Sequence, residues 1–285
     1  MKRLLRFLRA LWTAQERFHL NDGWAMAGFI AFSGLLSIFP FLIVAATMIG
    51  IFVGEARSAE IIDALFAIAP EHVAMTLEPV VHEVLGKQSQ RVLTLSALFA
   101  IWVASNAVEA FRTAFDRAYA VADPRHFVKN RILAIIMVFV GAIVAALLGL
   151  MIIFSPLVML MAERITGGPI PLAAGYLTYG FGILVFFGFL LVMHMILPGR
   201  TLSLRMLWPG VLVTTIMWLA AAGGFTLYLT FTPTYTVTYG TLAGVIITLM
   251  FLYLTGATII FGAELNAALQ RLSPAPRAGG AWPSD

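Results

Sequence analysis

The sequence predicts an all-α, polytopic membrane protein: six transmembrane helices, with short amphipathic helices on one outer-side loop. Three observations predict it. Apolar residues make up 61% of the 285 residues and charged residues only 11%, less than half the usual charged share. The mean hydropathy is +0.94. Six apolar stretches recur along the chain, each long enough for the roughly 20 residues a spanning helix needs. A soluble core of this size could not hide so much apolar surface. None of the stretches shows the ten-residue alternation of a membrane barrel, and helices are the other way to pair every backbone group within lipid.

Residues 1–23 form a basic amphipathic segment. Leu4, Leu8, Leu11 and Phe18 recur near helical spacing beside Leu5 and Trp12, with Lys2, Arg3, Arg6, Arg9 and Arg17 as the basic complement. Such a helix lies at a membrane surface. A signal peptide fits poorly: the basic region is too long, and no small-residue cleavage site follows. The transmembrane domain covers 24–270, with spans near 24–53, 92–111, 132–160, 173–197, 208–230 and 239–263. Between the first two, residues 55–91 make the one sizeable outer loop. Ile61, Leu65 and Ile68, then Val73, Leu77, Val80 and Val84, follow helical spacing, and Pro70 and Pro79 break the run into short helices. The tail 271–285, rich in Pro and Gly, is expected to be disordered.

Lysine and arginine counts set the orientation. Alternate segments carry 14 on one side and 4 on the other. Both termini are therefore expected on the cytoplasmic side. The chain has no Cys, which excludes disulfides and thiolate metal sites. No basic run interleaved with aromatics suggests nucleic-acid binding.

Ionisable groups inside spans are costly and mark sites worth weighing. Asn106, Glu109 and Thr113 share one helical face, and Arg112 and Asp116 form an i, i+4 pair beside them. They either line a cytoplasm-facing cavity or mark a helix emerging into water. Glu264 and Asn266 follow Gly262 at the end of the last span. Glu264 either meets Arg112 or Arg117, lines the same cavity, or sits where the helix leaves the membrane. His194 near a span end is a packing or interfacial residue, or part of a path. Pro40, with Pro156 and Pro209, interrupts a span and frees a carbonyl. Ser33 and Ser37 lie one and two turns before Pro40, placed to satisfy that carbonyl or line a path. Gly50/Gly54 and Gly240/Gly244 have GxxxG spacing, which suits close helix packing and is compatible with a homo-oligomer. His72 and His82 with Glu78 and Glu83 are read as a solvated face rather than a metal site. No phosphate loop, HExxH or GxSxG exists, so no ATPase, catalytic residue, metal or cofactor is expected.

Several stretches together resemble the YihY/BrkB family of bacterial inner-membrane proteins, formerly labelled ribonuclease BN. They are AMAGFIAFSGLLSIFPFLIV (25–44), IWVASNAVEAFRTAFDRAY (101–119), LPGR (197–200), WPG (208–210), YG (239–240) and FGAELNAAL (261–269). The resemblance covers about residues 10–270. It implies six spans with cytoplasmic termini, and transport or envelope maintenance involving lipid. The ribonuclease label finds no phosphodiesterase constellation among these residues. Two functions are therefore expected candidates. One is a transporter or lipid-handling protein whose partner is membrane lipid. The other is a non-transporting scaffold docking an envelope protein through 55–91.

Overall fold

The computed structural model describes residues 2–53, 90–166, 173–231 and 242–272. They form seven helices: α1 (Lys2–Leu20), α2 (Gly23–Val53), α3 (Gln90–Ala118), α4 (Phe127–Thr166), α5 (Ala173–Ile196), α6 (Leu204–Phe231) and α7 (Ala243–Arg271). Each expected span coincides with one of α2 to α7, and the amphipathic segment with α1. Among the described residues, five helices are long and apolar enough to cross a membrane, those holding Thr94–Ala118, Phe127–Met151, Tyr179–Ile196, Leu204–Phe231 and Ala243–Arg271. In α2 the stretch Gly23–Ile38 is apolar but shorter. The expected outer-loop helices at 55–91, the glycines 54 and 240, the candidate metal residues and the tail from 273 lie outside the described residues.

The chain divides into two compact units. The first holds Met1–Asp22, Arg112–Met217 and Thr258–Asp285. In it α1 packs on α7 through a seam of small residues: Ala10 and Ala14 are buried with Leu265 and Ala268, flanked by Leu11, Phe261 and Leu269. Alanine side chains let two helix axes approach closely. Phe18 closes the seam against Phe261, with ring centroids 6.2 Å apart. The apolar stripe expected on α1 is thus two stripes. Phe18 is buried and Leu11 partly so, while Leu4, Leu5, Leu8 and Trp12 remain exposed. α1 is followed by a turn at Asn21 and Asp22, where the φ of 59° at Asp22 is a left-handed conformation that Asp tolerates better than most residues. α3 ends in a Schellman motif: the Val121 N–H donates to the Asp116 carbonyl at 2.9 Å, and the Ala120 N–H to that of Arg117 at 3.1 Å. Ala120 holds the left-handed position with φ 50°.

The second unit holds Gly23–Phe111 and Trp218–Ala257. There α2 packs on the first half of α7. A Cβ on Gly256 would meet Ala27 Cα at 3.3 Å, so backbone lies against backbone, the small-residue contact expected of helices in lipid. Trp24 stacks on Tyr253 at 6.0 Å, and the Trp218 indole N–H donates to Thr255 Oγ1 at 3.0 Å. α2 runs through Pro40 without ending. Ser37 donates to the Gly34 carbonyl at 2.7 Å, so it does not serve the Leu36 carbonyl that Pro40 frees. Ser33 is buried.

Candidate functional site

The first unit gathers polar side chains at the ends of α1, α3, α5 and α7 and at the starts of α4 and α6. Two networks can be traced.

The first network centres on Asp123, in the loop between α3 and α4. Arg112, on α3, donates to Asp116 Oδ2 at 2.8 Å and to Asp123 Oδ2 at 2.7 Å. The Arg125 side chain and backbone N–H both donate to Asp123 Oδ1, at 2.8 and 3.0 Å. Asn130 Nδ2 donates to Asp123 Oδ2 at 2.8 Å. The carboxylate of Asp123 is 8% exposed. Burial pushes its pKa up, but the bonds from Arg125 and Asn130 outweigh burial and hold it at about 2. Arg125 also donates to the carbonyls of Ile196 and Leu197 at the end of α5, which satisfies orphan carbonyls of that terminus. Asp116 Oδ1 accepts the Gly199 N–H at 2.8 Å. A Cβ on Gly199 would lie 2.7 Å from Asp123 Cα, so the LPGR turn needs glycine where it meets the loop. The network therefore ties α3, the 119–126 loop, α4 and α5 together.

The second network is more deeply buried. Asn266 on α7 reads the backbone of α6 around Pro209: its Oδ1 accepts the Gly210 N–H at 2.8 Å, and its Nδ2 donates to the Leu207 carbonyl at 2.9 Å. A Cβ on Gly210 would collide with the Asn266 amide, so the WPG and GAELNAAL stretches fit one another. Glu264, two residues earlier, is 1% exposed. Its Oε1 accepts from Asn21 Nδ2 at 2.6 Å, and its Oε2 has no hydrogen-bond partner among the described residues. Arg117 donates to the Asn21 carbonyl and to Asp22 Oδ2, each at 3.1 Å. Glu264 thus bonds neither Arg112 nor Arg117. It bonds the α1–α2 junction, and Arg117 steadies that junction from the other side.

Tyr119 lies beside this second network. It is fully buried, and its hydroxyl lies beside Asn266 without reaching hydrogen-bond geometry. Burial pushes its ionisation far above the ordinary phenol range, and the nearby Glu264 adds to that. It stays a neutral phenol, able both to donate and to accept. His194 is also fully buried. Its Nδ1 lies 2.8 Å from the Leu190 carbonyl, which fixes the proton on Nδ1 because a carbonyl only accepts. Its ring lies 4.4 Å from that of Phe115. Asn106 and Glu109 are half-buried on α3 within the second unit; Arg112 and Thr113 are half-buried on the same helix within the first.

Of the residues singled out in the sequence, Glu264, Asn266 and the Arg112–Asp116 pair fall in these two networks, and His194 packs on Phe115. Sequence reasoning missed Asn21, Tyr119, Asp123, Arg125 and Asn130. Asp123 left one signal: with Asp116, it is one of two acids among the five basic residues of 112–131.

In the second unit, Pro40 and the α3 residues Leu95, Ser96, Leu98, Phe99 and Trp102 line an open groove of about 610 Å³. The lining side chains are apolar apart from the Ser96 hydroxyl and the indole N–H of Trp102. Pro40 is the one residue expected on a path that lines it.

No solved structure matches this chain. A Bacillus subtilis (strain 168) protein named as ribonuclease-like, YfkH, is 26% identical over 95% of this chain and 97% of its own length. A UPF0761 membrane protein of Coxiella burnetii (strain RSA 493 / Nine Mile phase I) is 29% identical over 88% of this chain and 89% of its own. One from Chromohalobacter salexigens is 27% identical over 92% of this chain and 63% of its own. The family described as Virulence factor BrkB matches residues 14–284, a stretch that includes both polar networks and the groove, and this membrane protein belongs to that family.

Proposed function

We propose that this protein is a six-span bacterial inner-membrane protein with both termini cytoplasmic, and that it handles or transports membrane lipid without hydrolysing ATP. The groove beside Pro40 carries the reading. Its lining of Leu95, Leu98, Phe99 and Trp102 suits an acyl chain, each buried methylene of which contributes about 0.8 kcal/mol. The Ser96 hydroxyl offers one polar contact, as binding sites that are mostly apolar commonly do. Pro40 sets one wall. The 14-to-4 split of basic residues supports the orientation, and α2, continuous over 31 residues, supports the sixth span. The polar side chains described in the first unit hold helix ends and one another, which supports a non-enzymatic reading. The docking alternative rests on 55–91, outside the described residues.

Native mass spectrometry of protein extracted in mild detergent, with lipid analysis of what remains bound, tests the proposal. The expected result is a retained phospholipid that Ser96→Trp, which fills the groove, releases. A clean mass, or the same lipid retained equally by Ser96→Trp, would overturn the groove as the binding site.

A further inference from the structure

We propose that α1 is a docking element for anionic phospholipid headgroups, seated in the surface of the bilayer that α7 crosses. The proposal is separate from the groove beside Pro40, and it does not depend on which side of the membrane α1 lies.

Helical spacing gives α1 three faces. Ala10, Ala14 and Phe18 form the buried one, with the two alanines against Leu265 and Ala268 of α7. Leu4, Leu8 and Trp12 form the second, with Leu5 beside it, and each of these four side chains is more than half exposed. Arg9, Thr13 and Arg17 form the third, with Arg6 beside it.

The seam sets the depth of the helix. α7 has 29 residues, about 44 Å at 1.5 Å each. The hydrocarbon core is about 30 Å thick, and the headgroup layers bring the bilayer to about 40–45 Å. The last turns of α7 therefore stand at headgroup level. These are the turns that α1 packs on, through Leu265, Ala268 and Leu269, and α7 ends at Arg271. A contiguous apolar face left bare in water is unfavourable, and at this depth the boundary of the acyl chains covers it. The Trp12 indole N–H donates to Glu16 Oε1 at 2.6 Å, so the ring enters that boundary with its polar donor already paired. In detergent the alanine seam alone holds α1; the apolar stripe matters once a bilayer surface is present.

Charge selects the headgroups. α1 carries Lys2, Arg3, Arg6, Arg9 and Arg17 against a single acid, Glu16. A surplus of cations beside an apolar stripe complements anionic lipid. The same surplus repels a second copy of α1, which disfavours the stripe as a contact between chains.

The chain has no Cys, so a nitroxide on Leu8→Cys reports this face alone. Electron paramagnetic resonance of the labelled full-length protein, in nanodiscs of phosphatidylcholine with and without phosphatidylglycerol, tests the proposal. Accessibility to oxygen marks a label in the acyl boundary; accessibility to a water-soluble nickel chelate marks one in water. The expected result is a label that favours oxygen in discs with phosphatidylglycerol and the chelate in discs without it. Each cation near an anionic leaflet favours docking about fivefold, so Arg6→Gln with Arg9→Gln should lower the docked-to-undocked ratio about 25-fold. Salt at about 1 M shortens the Debye length to about 3 Å and should undock the label without altering the basic face. A label open to the chelate in both lipids would overturn the membrane docking. A label buried equally in both lipids and insensitive to salt would overturn the recognition of anionic headgroups. Spin coupling between two labels would place a second copy on the stripe and overturn it as a lipid surface.

Discussion

Asn266 shows how much one side chain holds here. It satisfies a donor and an acceptor on the backbone of α6, and nothing smaller reaches both. Asn266→Ala orphans two buried groups and should cost about 2 kcal/mol, read as a lower thermal midpoint in detergent. Ala120 is the opposite case. It occupies the left-handed position of a Schellman motif, where a Cβ is unfavourable and glycine is not. Ala120→Gly should stabilise by about 1 kcal/mol, against the usual direction of a glycine substitution; a lower midpoint would contradict that geometry. Asp123 sets a pH dependence. Its folded pKa, about 2, lies below the ordinary 3.8. Its contribution is therefore fully present above about 4 and lost as pH falls toward 2. Thermal midpoints should drop across that window, and in Asp123→Asn the drop should shrink. Asp123→Asn also leaves Arg112 and Arg125 without their shared carboxylate and should lower stability at neutral pH by about 3 kcal/mol.

At the scale of elements, α1 carries the clearest lesson. Its alanine seam against α7 leaves no room for larger side chains. Ala14→Leu should force the helices apart at a cost of about 1–3 kcal/mol, with faster limited proteolysis within residues 1–22 as the measurement. Replacing exposed Leu8 by Ser should leave that rate unchanged, because Leu8 faces away from the seam. The spacing of apolar residues placed each of the seven described helices, because a membrane span must be long, apolar and internally hydrogen-bonded, but α3 and α7 run on to residues 118 and 271, past the expected ends at 111 and 263. It also located the turn after α5, where Pro198 and Gly199 follow the last apolar turn. It could not divide the apolar residues of α1 between α7 and the exterior. Both stripes have helical spacing, and only a packed neighbour tells them apart. The same limit applies to Ser37, placed by sequence one turn before Pro40 but bonded to the Gly34 carbonyl.

For the whole molecule, orientation and cargo are the quantities to measure. The chain lacks Cys, so single cysteines introduced one at a time report sidedness without background. Cysteines near residue 2 and residue 275 should be protected from an impermeant thiol reagent in intact cells, and one near residue 70 should react. The reverse pattern would invert the proposed topology.

The sequence by itself determined the membrane class, the helical class and the family, because apolar length, composition and motif order are properties of a chain that no folding step alters. Tertiary structure alone decided which polar residues meet. Asn21 and Glu264 are 243 positions apart, and Asp116 and Gly199 are 83 apart; no periodicity relates such pairs. Helical spacing says which residues share a face. Which faces meet depends on how small residues, glycines and helix ends let the helices approach, and that is settled only when the packed chain leaves each buried donor a partner within hydrogen-bond reach.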